Sequence, residues 1–143
     1  MLTSSDATNL IADLQGHWIA ALSNHQYEWL ERHLAEDFMF TAHPFPTLKL
    51  HKREFIEADK KIESAEVKFI SVRAEPAGEI IISRTVADVK EEFNADLGPG
   101  MPTASEITRM VSGQRLAYCS GWRHNGQIWQ CFDHHLVGII RRE

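Results

Sequence analysis

Near the C-terminal end the run Cys131-Phe132-Asp133-His134-His135-Leu136 sets three ionisable groups side by side between apolar residues. On a strand successive side chains alternate, so Asp133 and His135 share one face and His134 takes the other. A carboxylate next to an imidazole on one face can accept a ring N–H, fix the tautomer and keep the other nitrogen basic. Asp133 and His135 are thus candidate acid–base groups, with His43, just before Pro44, approaching from an earlier strand. The alternative stays open that Asp133 and His135 satisfy each other or the backbone, the commoner fate of buried polar groups.

Period-two alternation divides each neighbouring strand into two faces, and the register implied by the family resemblance given below takes one of them as inward. On the last strand it gives Trp129, Cys131, Asp133, His135 and Val137. On the preceding strand it gives Leu116, Tyr118, Ser120 and Trp122, and before that Ile82, Arg84, Val86 and Asp88. Tyr118 and Ser120 can donate to a carbonyl or oxyanion. Arg84 and Asp88 admit two placements: in a pocket, where they pair or Arg84 clamps an anion, or on the outer face, solvated or in a dimer interface. A slip of one residue inverts every one of these assignments.

Other chemistries find little footing. His134 and His135 point to opposite faces and cannot easily ligate one ion, and neither HExxH nor CxxC occurs, so no metal is expected. Without GxGxxG or GxxxxGK[ST] no nucleotide cofactor is expected either. GxSxG is also missing, and the register turns Cys119 away from the pocket. Trp18, Phe40, Trp122 and Trp129 are read as core before pocket, though the same residues can form both; as pocket walls they favour a hydrophobic or weakly anionic small molecule.

The elements that must position these residues are legible from periodicity. Leu10, Ile11, Leu14, Trp18 and Leu22 recur at helical spacing, with Ser4, Ser5 or Asp6 to cap the start. The stretch QYEWLERHLA predicts a second, shorter helix, and KREFIEADKKI a third, with Phe55, Ile56 and Asp59 at neighbouring positions. DFMFTAH reads as a strand ended by Pro44 and Pro46. Long strands follow from AEVKFISVRAE onward, separated by Pro76-Ala77-Gly78, by the loop NADLGPGMPT and by the hairpin signal Asn125-Gly126. The strand after that loop is expected to begin at Ser105.

The 143 residues suit one domain, taken as residues 1–143. Fifteen Lys and Arg against 20 Asp and Glu, net charge -5, argue against nucleic-acid binding. No apolar run is long enough for a bilayer, and the N-terminus lacks a leader pattern, so a cytoplasmic protein is expected. Cys119 and Cys131 are read as free thiols, a cross-strand disulfide remaining open.

Two stretches carry a resemblance. HWIAALSNHQYEWLERHLAEDFMFTAHP and WRHNGQIW, in this order, resemble the nuclear transport factor 2-like superfamily, in particular its SnoaL-like and ketosteroid isomerase-like branches. The resemblance covers nearly the whole chain. It implies an α+β, cystatin-like fold in which a cone-shaped curved antiparallel sheet and three helices from the N-terminal half enclose a pocket, commonly as a homodimer. The isomerase's general base falls on His43, its oxyanion-hole Tyr on Trp18 and its protonated Asp on Ser120, so that enzyme's carboxylate-base chemistry is not carried over. What remains implied is a cofactor-free isomerase, dehydratase or cyclase using His43, Asp133 and His135, with Trp18, Arg84, Asp88, Tyr118, Ser120 and Trp122 against the substrate. The C-terminal strand-turn-strand also resembles the association domain of calcium/calmodulin-dependent kinase II, which implies the alternative of a binding or assembly domain without turnover. Ser120 and Val86 stand at two positions of that domain's pocket arginines.

Overall fold

A computed structural model describes residues 2–140 of the chain. Helix α1 (Ser4–Ser23) is followed by α2 (Tyr27–His33), strands β1 (Leu34–Ala42) and β2 (Phe45–His51), and α3 (Lys52–Asp59). Strands β3 (Ile62–Ala77) and β4 (Ile80–Phe93) come next, then α4 (Ala104–Val111), β5 (Gln114–His124) and β6 (Trp129–Ile140). The fold is α+β, as the element order implies.

Thr3 caps α1, its side chain accepting from the Asp6 N–H while Asp6 returns a bond to the Thr3 N–H. Such reciprocal caps satisfy two donors that the first turn leaves bare. Thr8 ties the helix to β3 by accepting from the Ala74 N–H at 3.0 Å and donating to its carbonyl at 3.2 Å. The hairpin signal folds as expected: Asn125 Oδ1 accepts from the N–H groups of Gln127 and Ile128, both at 2.9 Å, and Gly126 takes the positive φ of 100°.

The sheet runs β2-β1-β6-β5-β4-β3. All neighbours are antiparallel except β1 and β6, which pair parallel, so the sheet is mixed and not uniformly antiparallel. Two further elements depart from expectation. β1 does stop before Pro44, at Ala42, but the chain turns and pairs again: Pro46 lies in β2, an unexpected edge strand, where a missing N–H costs little. SEITRMV is not the start of a strand but the body of α4, nucleated by a Thr103–Glu106 capping box.

Two buried clusters fill the interior. One gathers Ile11, Trp18, Leu30, Phe38, Phe55 and Trp122 beneath α1 to α3. The other, beneath α4, includes Ala87, Val89, Ile107, Val111, Leu116 and Leu136. Among the described residues no helix is long and apolar enough to cross a membrane.

Candidate functional site

Between the two clusters lies a cavity of about 170 Å³, walled by α1, α3, α4 and the inner face of the sheet. Its walls are mostly apolar, with Leu48, Leu50, Phe69, Ile107 and Leu136 among them. The polar side chains that reach it are Gln15, Asp59, Thr85, Glu91, Tyr118 and His134.

Strand β5 presents its side chains as alternation predicts. Tyr118 lines the cavity, whereas Ser120 and Trp122 lie behind the wall, 3% and 1% exposed. The Trp122 indole N–H donates to Ser83 Oγ at 2.9 Å, which makes it a satisfied core residue and not a substrate contact. Trp18 also lines the cavity, its ring edge-on to Trp122 and 5.0 Å from the His134 ring.

Strand β6 departs from the predicted register. Trp122 pairs with Cys131, but Gly121 pairs with Asp133, so Phe132 is an extra residue, a β-bulge. From there the faces exchange, and His134 and Leu136 point inward. A second bulge at Val137 restores the original phase, bringing Ile139 opposite Leu116. The expectation that Asp133 and His135 look into the pocket is therefore corrected. Both lie on the outer face, where Thr41 Oγ1 and His135 Nδ1 are 2.6 Å apart.

The β4 assignment is also inverted. Ile81, Ser83, Thr85, Ala87 and Val89 are buried, and Arg84 and Asp88 face outward with Ile82 and Val86. Counting hydrophobic residues misleads here because a strand flooring a cavity carries small side chains inward. Asp88 pairs with Arg115 across the strands, with Arg115 Nε 2.9 Å from Oδ1. His43 is exposed beyond the end of β1 and does not line the cavity. The two thiols are free: Cys131 is buried beside the cavity wall, Cys119 half-buried on the outer face.

His134, which alternation had turned outward, is the best-positioned ring in the cavity. It stacks on Tyr118, with centroids 5.0 Å apart and planes 5° from parallel, and its Nδ1 lies 2.7 Å from Ser120 Oγ. In the tautomer with the proton on Nε2, the buried Ser120 hydroxyl donates to Nδ1 and the ring N–H is free to face the cavity. Burial, with His135 adding to it, holds the ring pKa down to about 4, so the imidazole is neutral near pH 7. Tyr118 is pushed well above the usual phenol value by burial and by Glu91 and Asp59. The pair therefore offers two neutral donors, a phenol O–H and an imidazole N–H.

Asp59 and Glu91 supply the acidic side. Asp59 is 7% exposed and its Oδ2 has no hydrogen-bond partner among the described residues. Burial, and then the charge of Glu91, drive its pKa well above the usual carboxylate range. Burial alone raises Glu91 to about 7. Thr85 completes the polar set by donating to Gln15 Oε1 at 3.0 Å, joining α1 to the sheet. Among the described residues no Lys or Arg lines the cavity, and no group of three or more His, Cys, Asp or Glu is arranged to hold a metal.

Signals for the missed residues were present. Gly121 in a strand interior marks a possible bulge, and a Cβ there would come within 2.7 Å of the Phe132 ring, which lies over it. Asp59 shares the buried face of α3 with Phe55 and Ile56.

No family model matches the chain, and no curated protein matches it. Solved structures do. A nuclear transport factor 2-like protein from Cytophaga hutchinsonii superposes with a TM-score of 0.72 at 16% identity, covering 92% of this chain and 97% of that one. The chain has the nuclear transport factor 2-like fold. The same fold is found in a candidate calcium/calmodulin-dependent kinase II association domain from Exiguobacterium sibiricum, with a TM-score of 0.69, 13% identity and coverage of 94% and 93%. It recurs in a candidate dehydratase of the NTF2-like family from Streptomyces avermitilis, with a TM-score of 0.67, 12% identity and coverage of 94% and 96%. In a fold that hosts many unrelated activities, function rests on the cavity's own side chains.

Proposed function

We propose that the protein binds a small, largely apolar molecule through one oxygen atom and assists proton transfer or elimination next to it, without a cofactor. The observation that carries this reading is the stacked Tyr118–His134 pair, fixed from behind by Ser120. Two neutral donors in a mostly apolar cavity stabilise negative charge that develops on an oxygen, and they need no reorganisation when it forms. Loss of a proton from the carbon beside a carbonyl, taken up by the Glu91 carboxylate, develops such charge, and departure of a neighbouring hydroxyl as water returns that proton to the leaving oxygen. Isomerase or dehydratase chemistry on a small ring compound is accordingly the leading reading, and the similarity to a candidate dehydratase supports it. His134 and Tyr118 replace Asp133, His135 and His43 as its central residues.

Hydrogen–deuterium exchange at the α-carbon of cyclohexanone, followed by NMR in D₂O, tests it. The expected result is exchange faster than in buffer, reduced at least about tenfold by Tyr118→Phe or His134→Gln, since one such donor contributes on the order of 10²-fold in favourable sites. Exchange at the buffer rate with bound ketone would favour the second reading, binding or assembly without turnover, to which the similarity to a candidate association domain lends weight.

The assembly we infer is a homodimer through the outer sheet face. Paired positions there line up in rows: Arg73, Arg84, Cys119, His135, Thr41 and Lys49 form a basic row, flanked by one containing Glu75, Ile82 and Asp133. Rows of opposite sign two residues apart suit a two-fold contact in which each copy's basic row meets the other's acidic one. Sedimentation equilibrium of the wild type and of Arg84→Glu checks this, with dissociation of the variant expected.

A further inference from the structure

The carboxyl wall of the cavity is not used by the oxygen-binding pair, and its electrostatics are lopsided. Asp59 is the last residue of α3, where the helix dipole presents its negative end and disfavours a carboxylate. Its Oδ2 is buried and without a partner among the described residues, and the only other ionisable acid on the wall is Glu91. The nearby lysines are engaged elsewhere: Lys60 Nζ lies 3.1 Å from Glu57 Oε1, and Lys61 Nζ donates to the Leu97 carbonyl at 3.1 Å.

From the other elements the wall faces Gln15 on α1, Thr85 on β4, Tyr118 on β5 and the neutral His134 on β6. The residues of β1, β2, β3 and α4 that line the cavity are apolar. An orphaned carboxyl atom among acceptors and neutral donors, with no countercharge, is an incomplete arrangement.

We propose that the ligand carries a protonated amine, seated between Asp59 and Glu91, on a body no larger than one ring with a short chain. This rests on the pocket reading above and adds the chemical class of what the pocket takes. An ammonium group has three donors and no acceptor, which matches an unfilled acceptor at Asp59 Oδ2 with a second carboxyl, Glu91, on the same wall. It also supplies the charge that the wall lacks. A carboxylate or phosphate would meet like charge there with no Lys or Arg to offset it. The size limit follows from the volume: a dry engineered cavity of about 150 Å³ admits benzene, and this one measures about 170 Å³. The amine end and the oxygen-binding pair then define a molecule with one apolar ring between two polar ends.

The test is calorimetric titration at pH 8 with three compounds matched in size: 2-phenylethylamine, 2-phenylethanol and 3-phenylpropanoate. The amine is expected to bind about ten- to a hundredfold tighter than the alcohol, the range of a charge-assisted hydrogen bond, and the carboxylate to bind weakest. The double variant Asp59→Asn, Glu91→Gln should lose that preference while still binding the alcohol, and Tyr118→Phe should keep it. Lowering the pH from 8 to 6 should weaken amine binding as Glu91 takes up a proton. Equal affinity for amine and alcohol, tighter binding of the carboxylate, or a preference that survives the double variant overturns the amine assignment and leaves the pocket reading standing. If none of the three binds the wild type, both fall. Alcohol binding by the double variant serves as its check of folding.

Discussion

The two faces of the sheet handle charge in opposite ways. On the outer face charged side chains meet opposite charge in reach of water: Arg115 meets Asp88 at 2.9 Å, and near the ends of β5 and β1 Arg123 meets Asp37 at 2.6 Å. On the inner face Asp59, Glu91 and His134 have no counterion among the described residues, and burial displaces each toward its neutral form. Outer-face charges are kept by water and cost nothing to hold, which is also why such pairs contribute little stability. Inner-face groups are held at a cost that the surrounding core must offset, and groups kept at such a cost are the ones to associate with binding.

That contrast can be broken or sharpened by substitution, and the largest effect belongs to the core that carries the cavity. Trp122→Ala removes a ring that is 1% exposed and hydrogen-bonded to Ser83, and is expected to cost about 3–5 kcal/mol in urea unfolding.

Next comes the acid wall. Glu91 has a raised pKa in the folded chain, so between its unfolded value near 4.5 and its folded value of about 7 the folded state holds more protons. Stability contributed by this group is therefore present at low pH and lost as pH rises through that window. Glu91→Gln should stabilise the protein by on the order of 2 kcal/mol at pH 8 and by little at pH 4.5, measured by denaturant midpoints.

His134 has the opposite sign. Its folded pKa of about 4 lies below the unfolded value of 6.5, so the unfolded state binds more protons and stability falls as pH drops from 6.5 to 4. His134→Gln should flatten that acid limb, and an unchanged limb would place the ring in contact with water.

Smaller effects follow. Gly121→Ala forces the half-buried Phe132 ring away and is expected to cost about 1 kcal/mol, with His134 chemical shifts moving as the bulge adjusts. Arg115→Ala, on the outer face, should give the smallest shift in denaturant midpoint of the series, and a smaller one still in high salt.

The elements were mostly legible from sequence because long periodic segments and turn residues declare themselves: α1 through Leu10, Ile11, Leu14 and Trp18, and the last hairpin through Asn125-Gly126. On β5, Tyr118 and Ser120 face where alternation puts them. The rest of the site was hidden for two physical reasons. A strict two-residue period carries no information about a bulge, and one extra residue at Phe132 moved Asp133 and His135 out and His134 in. Alternation also assumes that apolar residues point inward, yet β4 turns Ser83 and Thr85 toward the interior and leaves Ile82 41% exposed. Asp59 needed tertiary context, since only the packing of α3 shows that its carboxyl is buried without a partner.

The bulges at Phe132 and Val137 bracket four residues, Asp133 to Leu136, whose phase is opposite to that of the rest of the strand. Each bulge takes up one residue without moving the pairs beside it, so the inner face of β6 carries Cys131, His134, Leu136 and Ile139 at spacings of three, two and three. Removing Phe132 would leave His134 opposite Ser120 and Asp133 opposite Gly121, and would straighten the strand without changing the lining. The lining of the pocket is thus written in the pairing of β6 with β5, and the bulges set only how the strand bends around it.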